Sequence, residues 1–290
     1  MKRQYMAIPF APARLVLVEQ CNGIIESYQA QGLRLTLRQL YYQLVTRNIV
    51  PNREQSYAKV GQAVSDARVA GLLDWDAIED RVRVPRVPNE FRDIQDLVDV
   101  AVRSYRLPRW ADQPEYVELW VEKDALSGVL APIATQYHVT LMVNRGYSSQ
   151  SAMFEAANRF KRHADKTERH LLYLGDHDPS GEDMVRDIAD RLAMFRASVT
   201  VEKLALTMAQ VEEYNPPPNP AKLTDSRAAS YVAQHGAYSW EVDALPPEVL
   251  SRLVHKSITG HLDLDRMEAV KEREQRDITL LKASIPEARP

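Results

Sequence analysis

Apolar and polar positions in the first third of the chain alternate with a helical period. Leu15, Val18, Ile24, Ile25 and Tyr28 recur at that spacing over 11–31, and Gly32 follows as a stop. Thr36 stands where it would cap a second helix running to about Arg47. A third is expected from about Asn52 to Ala70, closed by Gly71. Leu72–Arg86 has aspartate-rich turns and the alternating valines Val82 and Val84, as a β wing would. Residues 90–105 predict another amphipathic helix, and Leu107–Pro114, with two prolines, a linker. From Glu115 the pattern changes. Tyr116–Val121 is a nearly continuous apolar run, as in a strand buried on both faces. Leu126, Val129, Leu130, Ile133 and Tyr137 mark a helix, Val139–Val143 a strand, and Gly146 a turn. Met153, Ala156, Ala157 and Phe160 mark the next helix, and Leu171–Leu174 the next strand, ending in Gly175. Met184, Val185, Ile188, Ala189 and Leu192 mark a third helix, and Val199–Leu206 a fourth strand. This βαβαβαβ run implies a parallel sheet covered by helices. Four prolines within Tyr214–Pro220 demand irregular structure. Pro247–Ile258 and Leu264–Ala283 read as helices, the last charged enough to face solvent or a partner.

The fold class expected is therefore α/β in two domains: residues 1–110, and 111–290 with a C-terminal helical extension. Helix, helix, helix, wing is the order of a winged-helix DNA-binding domain, an order that three short helices also meet by chance. No apolar run approaches the roughly 18–20 residues needed to span a bilayer. Met1–Phe10 lacks the sustained apolar stretch of a secretory leader. Cys21 is the only cysteine, which excludes an internal disulfide and a cysteine-based zinc cluster, so a cytoplasmic protein is expected. The net charge of −3 argues against nucleic acid until the chain is divided. Residues 1–110 hold 16 of the 37 basic and 12 of the 40 acidic residues; the remainder holds 21 and 28. A basic front half beside an acidic back half suits a DNA-gripping module joined to a metal-binding one, and equally suits ordinary charge scatter.

In open parallel sheets the ligand site lies beyond the carboxyl ends of the strands. Glu122 ends the first strand, in Val121-Glu122-Lys123-Asp124, and Asp176 and Asp178 follow the third, in Gly175-Asp176-His177-Asp178-Pro179-Ser180-Gly181. In an extended segment, residues two apart face the same way, so both aspartates can meet one point. Three hard oxygen ligands with room for water and phosphate suit Mg²⁺, with Mn²⁺ as the alternative ion. The competing reading is a helix start, with Asp178 or Ser180 as cap and Glu182 and Asp183 favouring the helix N-terminus. Glu118 and Asp124 rival Glu122, but the first lies inside the apolar run and the second opens the next helix. His177 points away from its flanking aspartates and reads as a neighbour rather than a ligand.

A glutamate at one strand end and an Asp-x-Asp at another resemble the Toprim signature of topoisomerases, primases and related nucleases. Val121-Glu122-Lys123-Asp124-Ala125, Arg145-Gly146-Tyr147 and Asp178-Pro179-Ser180-Gly181 resemble, more closely, the A subunit of topoisomerase VI and its meiotic double-strand-break relative. Those proteins place a winged helix before the Toprim domain and carry Arg-x-x-Tyr-Tyr, whose second tyrosine is the nucleophile. Arg38-Gln39-Leu40-Tyr41-Tyr42 stands in that place and order, and the likeness covers roughly Leu35 to Leu206. The resemblance implies a homodimeric, Mg²⁺-dependent double-strand cleaving enzyme in which Tyr42 forms a 5′-phosphotyrosyl link. It implies further that one subunit's tyrosine meets the other's metal site. A separate ATPase subunit would drive strand passage, and nothing in this chain resembles one.

The residue chemistry bears on this independently. Leu37, Leu40, Tyr41, Leu44 and Val45 form one apolar face, so Tyr41 belongs to the core, while Tyr42 falls off that face one turn from Arg38. A phenol, with a pKa of about 10, needs a cation or a metal to become a nucleophile. Arg38 could serve, or hold the scissile phosphate; alternatively it stacks on a boundary tyrosine. Arg53, Lys59 and Arg68 on the third helix, and Lys123 beside Glu122, are candidates to track DNA phosphates or are ordinary solvated charge. Two rival functions stay open: a hydrolytic Toprim nuclease of a mobile-element or defence system, using metal-activated water, and a non-catalytic DNA-binding protein. Residues 207–290, with Lys222, Asp225, Arg227, Trp240 and Glu241 in a polar stretch, receive no role.

Overall fold

The Thr36 hydroxyl accepts from the Gln39 amide while the Gln39 side chain answers the Thr36 amide, so the second helix starts on a reciprocal cap. The computed structural model that contains this cap describes residues 2–78, 88–144, 146–221 and 224–283. Helices α1 (Pro12–Gln29), α2 (Leu37–Thr46) and α3 (Glu54–Val69) close around Ile24, Leu35, Leu40, Leu44 and Val60, all buried. Leu35, just before α2, pairs by a β-bridge with Ile78. The strands expected around Val82 and Val84 lie outside the described residues.

Helix α4 (Ile94–Ser104) is amphipathic as expected, yet buries none of its side chains; Ile94, Leu97 and Val100 stay exposed. The segment after it is irregular but is no free linker. Trp110 is buried and donates to the Tyr137 carbonyl at 2.8 Å, and the Leu107 amide and Arg109 both bond Glu274. An indole of that size inserted in the core anchors the segment, which prolines alone did not foretell.

The α/β unit follows: β1 (Glu115–Val121), α5 (Ser127–Tyr137), β2 (Thr140–Val143), α6 (Gln150–Lys161), β3 (Glu168–Leu174), α7 (Pro179–Met194) and β4 (Thr200–Ala205). The sheet is parallel throughout, in the order β2-β1-β3-β4. The chain therefore moves outward from β1 to β2, then crosses back to β3 on the other side of β1. Right-handed crossovers put α5 on one face and α6 and α7 on the other. Side-chain parity agrees: Tyr116 and Glu118 meet Phe160 and Arg159 of α6. The reversal makes the carboxyl ends of β1 and β3 a topological switch point.

Beyond the sheet run α8 (Met208–Tyr214), β5 (Asn219–Pro220), α9 (Ala228–His235), β6 (Tyr238–Ser239), α10 (Pro247–Gly260) and α11 (Leu264–Ala283). The proline-rich stretch is irregular except where β5 pairs antiparallel with β6. A 3-10 turn, Val242–Ala244, lies between β6 and α10. Helix α11 buries Met267, Val270, Glu274 and Ile278 and leaves its charged side to solvent. The described residues form two hydrophobic cores, one around α1–α3 and one around the sheet, and Ala244 belongs to the first although its neighbours Val242 and Leu245 belong to the second. Among the described residues, no helix is long and apolar enough to cross a membrane.

Candidate active site

Glu122 and Asp176 are brought together by the sheet register. Val121 pairs with Leu174, so the next residue of β1 stands beside the loop leaving β3. The Glu122 amide donates to Leu174 O at 2.8 Å, and the Asp176 amide donates to Glu122 Oε2 at 3.0 Å. His177 and Trp240 exchange backbone hydrogen bonds, which lays residues 240–244 across the same end of the sheet. The Val242 amide then donates to Asp176 Oδ1 at 2.9 Å.

Asp178 is the N-cap of α7. Its Oδ1 accepts from the Gly181 amide at 2.7 Å and from Ser180 Oγ at 2.9 Å. The helix-start reading is thus met by Asp178, while Asp176 is free of that duty. Of the rivals, Glu118 is fully buried and held by Nε and Nη2 of Arg159, each at 2.9 Å. Asp124 opens a 3-10 turn and accepts from Ser127 Oγ. His177 does turn away: its Nδ1 lies 2.8 Å from Tyr231 Oη, and its ring meets His235 and Trp240.

Two acids that sequence reasoning left without a role complete the cluster. Lys123 Nζ lies 2.8 Å from Asp176 Oδ1, 2.9 Å from Glu241 Oε2 and 2.8 Å from Asp243 Oδ1. Arg38 of α2 pairs with Glu241 and reaches Asp243 Oδ2 at 3.2 Å. Asp243 has no exposed side-chain surface, and its Oδ2 has no aligned hydrogen bond. The available signal was the Glu241-x-Asp243 spacing, which in extended chain aims two carboxylates one way.

Tyr42 departs from expectation. It lies off the face shared by Leu40, Leu44 and Val45, but its ring is 4% exposed, because α2 is covered on a second side by the 242–244 turn. The guanidinium of Arg38 does sit over it, 5.8 Å from the ring centroid. Tyr42 shares a cleft with Glu241, close enough for each to act on the other's ionisation. Tyr41 is core as expected, and its hydroxyl accepts from the Arg53 amide at 2.8 Å. Both tyrosines line a cleft of about 240 Å³ with Arg38, Asn52, Arg53 and Glu241. Arg53, the residue that precedes α3, and Lys59 within it are exposed. Arg68 is committed internally, donating to the carbonyls of Trp75 and Ile78 over the Trp75 ring. Of the Arg145–Tyr147 turn, Arg145 lies outside the described residues, as does Lys222. Gly146 has φ +89°, and Tyr147 Oη donates to Asp183. Arg227 bonds Asp225 and Asp183 and stacks on Tyr147.

The electrostatics follow from burial and crowding. Burial raises the Asp176 carboxyl to about 7, helped by Glu122 and Asp243 and opposed by Lys123. Burial alone would lower Lys123, but Asp243, Asp176 and Glu241 hold its ammonium above the usual range. Burial opposes ionisation of Glu241 as well, yet Lys123 and Arg38 draw it down to about 2. Burial, then Glu241 and Asp243, push the Tyr42 phenol up, with Arg38 opposing. Formally, Glu122, Asp176, Glu241 and Asp243 face only Arg38 and Lys123, a surplus of two negative charges. A divalent cation with oxygen ligands would offset that surplus. Glu122 and Asp176 are the pair that the sheet register joins, while Asp178 is turned to its cap. No protein-family model and no curated protein sequence matches the chain.

Proposed function

We propose that this protein is a divalent-metal-dependent DNA-cleaving enzyme, a winged-helix module followed by a Toprim domain, acting as a homodimer on duplex DNA. One observation carries the reading. The acids at the switch point are wired through Lys123 and Glu241 to Tyr42 and Arg38, the other half of the motif pair. That proximity supports a joint role for the acids and the tyrosine, although within one chain rather than across the dimer that the resemblance implies.

Glu122 and Asp176 would hold Mg²⁺ or Mn²⁺, with Asp178 fixing the loop that aims them. When bound, the ion supplies positive charge to the phosphodiester oxygens. Arg38, at the cleft mouth, orients the scissile phosphate, and Arg53 and Lys59 hold the flanking backbone. A phosphate on Arg38 withdraws one of the two cations that keep Glu241 a weak base, and Tyr42 gives its proton to Glu241 as its oxygen bonds to phosphorus. The P–O3′ bond breaks, Lys123 protonates the leaving 3′ oxygen, and a 5′-phosphotyrosyl link remains. Hydrolysis is the second reading, and the depth of Tyr42 favours it, since water needs neither an exposed nor an acidic phenol.

Labelled duplex incubated with the protein and Mg²⁺ or Mn²⁺ separates the two. The covalent route leaves protein on 5′ ends after denaturation, and Tyr42→Phe abolishes cleavage while Tyr41→Phe retains it. Free 5′-phosphate ends from an active Tyr42→Phe protein would establish hydrolysis. Absence of cleavage with either ion would overturn both.

A further inference from the structure

The amino-terminal end of the sheet carries a second cluster, about 20 Å from the acids by the rise of a seven-residue strand. Glu115 begins β1, and Glu168 and His170 begin β3, with Glu115 paired to Glu168 and Val117 to His170. These side chains share one sheet face. His261 is the C-cap of α10 and comes down on that face. Its Nδ1 lies 2.7 Å from Glu115 Oε2, and the two imidazole rings stack with centroids 4.0 Å apart. His170 Nε2 lies 3.1 Å from Glu115 Oε2 and 3.2 Å from Glu168 Oε2.

His170 is 7% exposed, and its Nε2 makes no hydrogen bond although two carboxylate oxygens stand within reach. Neither tautomer resolves this. A lone pair there repels the carboxylates, and an N–H there is not aligned with either. A cation among the four groups satisfies all of them. From these positions we infer that Glu115, His170 and His261 form a transition-metal site, of Zn²⁺ type, with Glu168 at its rim.

The donor set favours this class of ion. Two imidazoles and a carboxylate are a common zinc set, whereas Mg²⁺ takes oxygen ligands. Tetrahedral coordination with bonds of about 2.0–2.1 Å spaces ligand atoms about 3.3 Å apart, so the 3.1 Å separation of His170 from Glu115 opens by about 0.2 Å and the 2.7 Å separation of His261 by about 0.6 Å. Two ligands come from adjacent strands, which fixes them before binding. The third ends a 14-residue helix, whose carbonyl dipoles favour a cation there. Burial and the neighbouring His261 keep His170 below the usual imidazole range, hence neutral with a lone pair to give. On binding, the Nδ1 lone pair of His261 goes to the metal, and any proton it carried goes to solvent. The inference does not depend on the cleavage reading.

Titration of the full chain with Co²⁺ and Zn²⁺ tests it, through the visible absorption of bound Co²⁺ and its displacement by Zn²⁺. One equivalent with the intense visible absorption of tetrahedral Co²⁺ is expected in the parent and in Asp176→Asn alike, whatever further Co²⁺ the oxygen donors at the other end of the sheet take up. His261→Gln, at a half-buried position that leaves the strands untouched, is expected to weaken binding at least about tenfold, and Glu115→Gln similarly. Circular dichroism of each variant verifies its fold. Unchanged affinity in His261→Gln, loss of binding in Asp176→Asn instead, or no binding by the parent would overturn the proposal.

Discussion

Two substitutions test whether Asp178 serves as a cap alone. Asparagine caps a helix nearly as well as aspartate, so Asp178→Asn should fold normally and keep most of its cleavage, and abolished cleavage in that folded protein would make the carboxylate a metal ligand. Asp178→Ala should lose about 1 kcal/mol of cap energy, melt about 2–4 °C lower by calorimetry and lose cleavage with the loop. Glu122→Gln and Asp176→Asn should abolish cleavage with duplex affinity retained, measured at fixed salt because that affinity is steeply salt-dependent. Activity persisting in Asp176→Asn would remove the acids from the mechanism. A pH effect belongs to the same residue. Asp176 binds its proton more tightly folded than unfolded, so its contribution to stability is complete below about pH 4 and lost as pH rises through about 7. The imidazoles of His138, His163, His170 and His177 are held below their usual range by burial, so their contribution runs the opposite way, full above the unfolded imidazole range and lost as pH falls through the lowered folded values. The measurement is therefore a difference. In EDTA, parent minus Asp176→Asn stability should decline between pH 5 and 8, and a flat difference would contradict the assignment.

At the level of elements, the turn from β3 into α7 depends on one missing methyl group. A Cβ on Gly181 would drive into the Asp176 carbonyl oxygen and approach Asp178 Oδ1. Gly181→Ala should thus displace the first turn of α7 from the acid loop and cost both cleavage and thermal stability. Retained activity would mean that the loop can move without penalty. The elements themselves were legible where periodicity was strong, since burial on both faces leaves β1 and β3 no choice but continuous apolar runs. The Thr36 cap and the Gly146 turn were legible from local chemistry. Long-range contacts were not. Nothing near Tyr42 in sequence announces the 242–244 turn that covers it, and Trp110 looked like part of a linker because its pocket is built by residues elsewhere in the chain. Glu241 and Asp243 escaped for the same reason: their significance comes from Lys123 and Arg38, each more than 100 residues away.

For the whole molecule, the arrangement of subunits becomes testable. The resemblance implies a tyrosine acting across the dimer, but Tyr42, Glu241, Lys123 and Asp176 form a connected series within one chain. Mixing Tyr42→Phe protein with Asp176→Asn protein discriminates these. If each chain cuts with its own tyrosine, no mixed dimer contains an intact site and the mixture stays inactive. If the tyrosine acts on the partner's acids, mixed dimers regain one site and nick a supercoiled plasmid. The in-chain connection predicts inactivity. Light scattering of each mixture on duplex verifies that dimers are present, as a two-fold cut requires.

The closed ring of ion pairs around Lys123 has a thermodynamic consequence. Lys123 is held by Asp176, which the proposed reading gives to the cation, and Lys123 and Arg38 share Glu241 and Asp243. On that reading a divalent ion on Asp176 removes one of the three partners of Lys123, and a phosphate drawn to Arg38 loosens its hold on Glu241, leaving that carboxylate to Lys123. Metal and DNA would then be reciprocal activators: whatever factor Mg²⁺ adds to duplex affinity, duplex must add to Mg²⁺ affinity. Duplex titrations of Tyr42→Phe protein with and without Mg²⁺ should reveal that factor, several-fold in favour of the metal-loaded form.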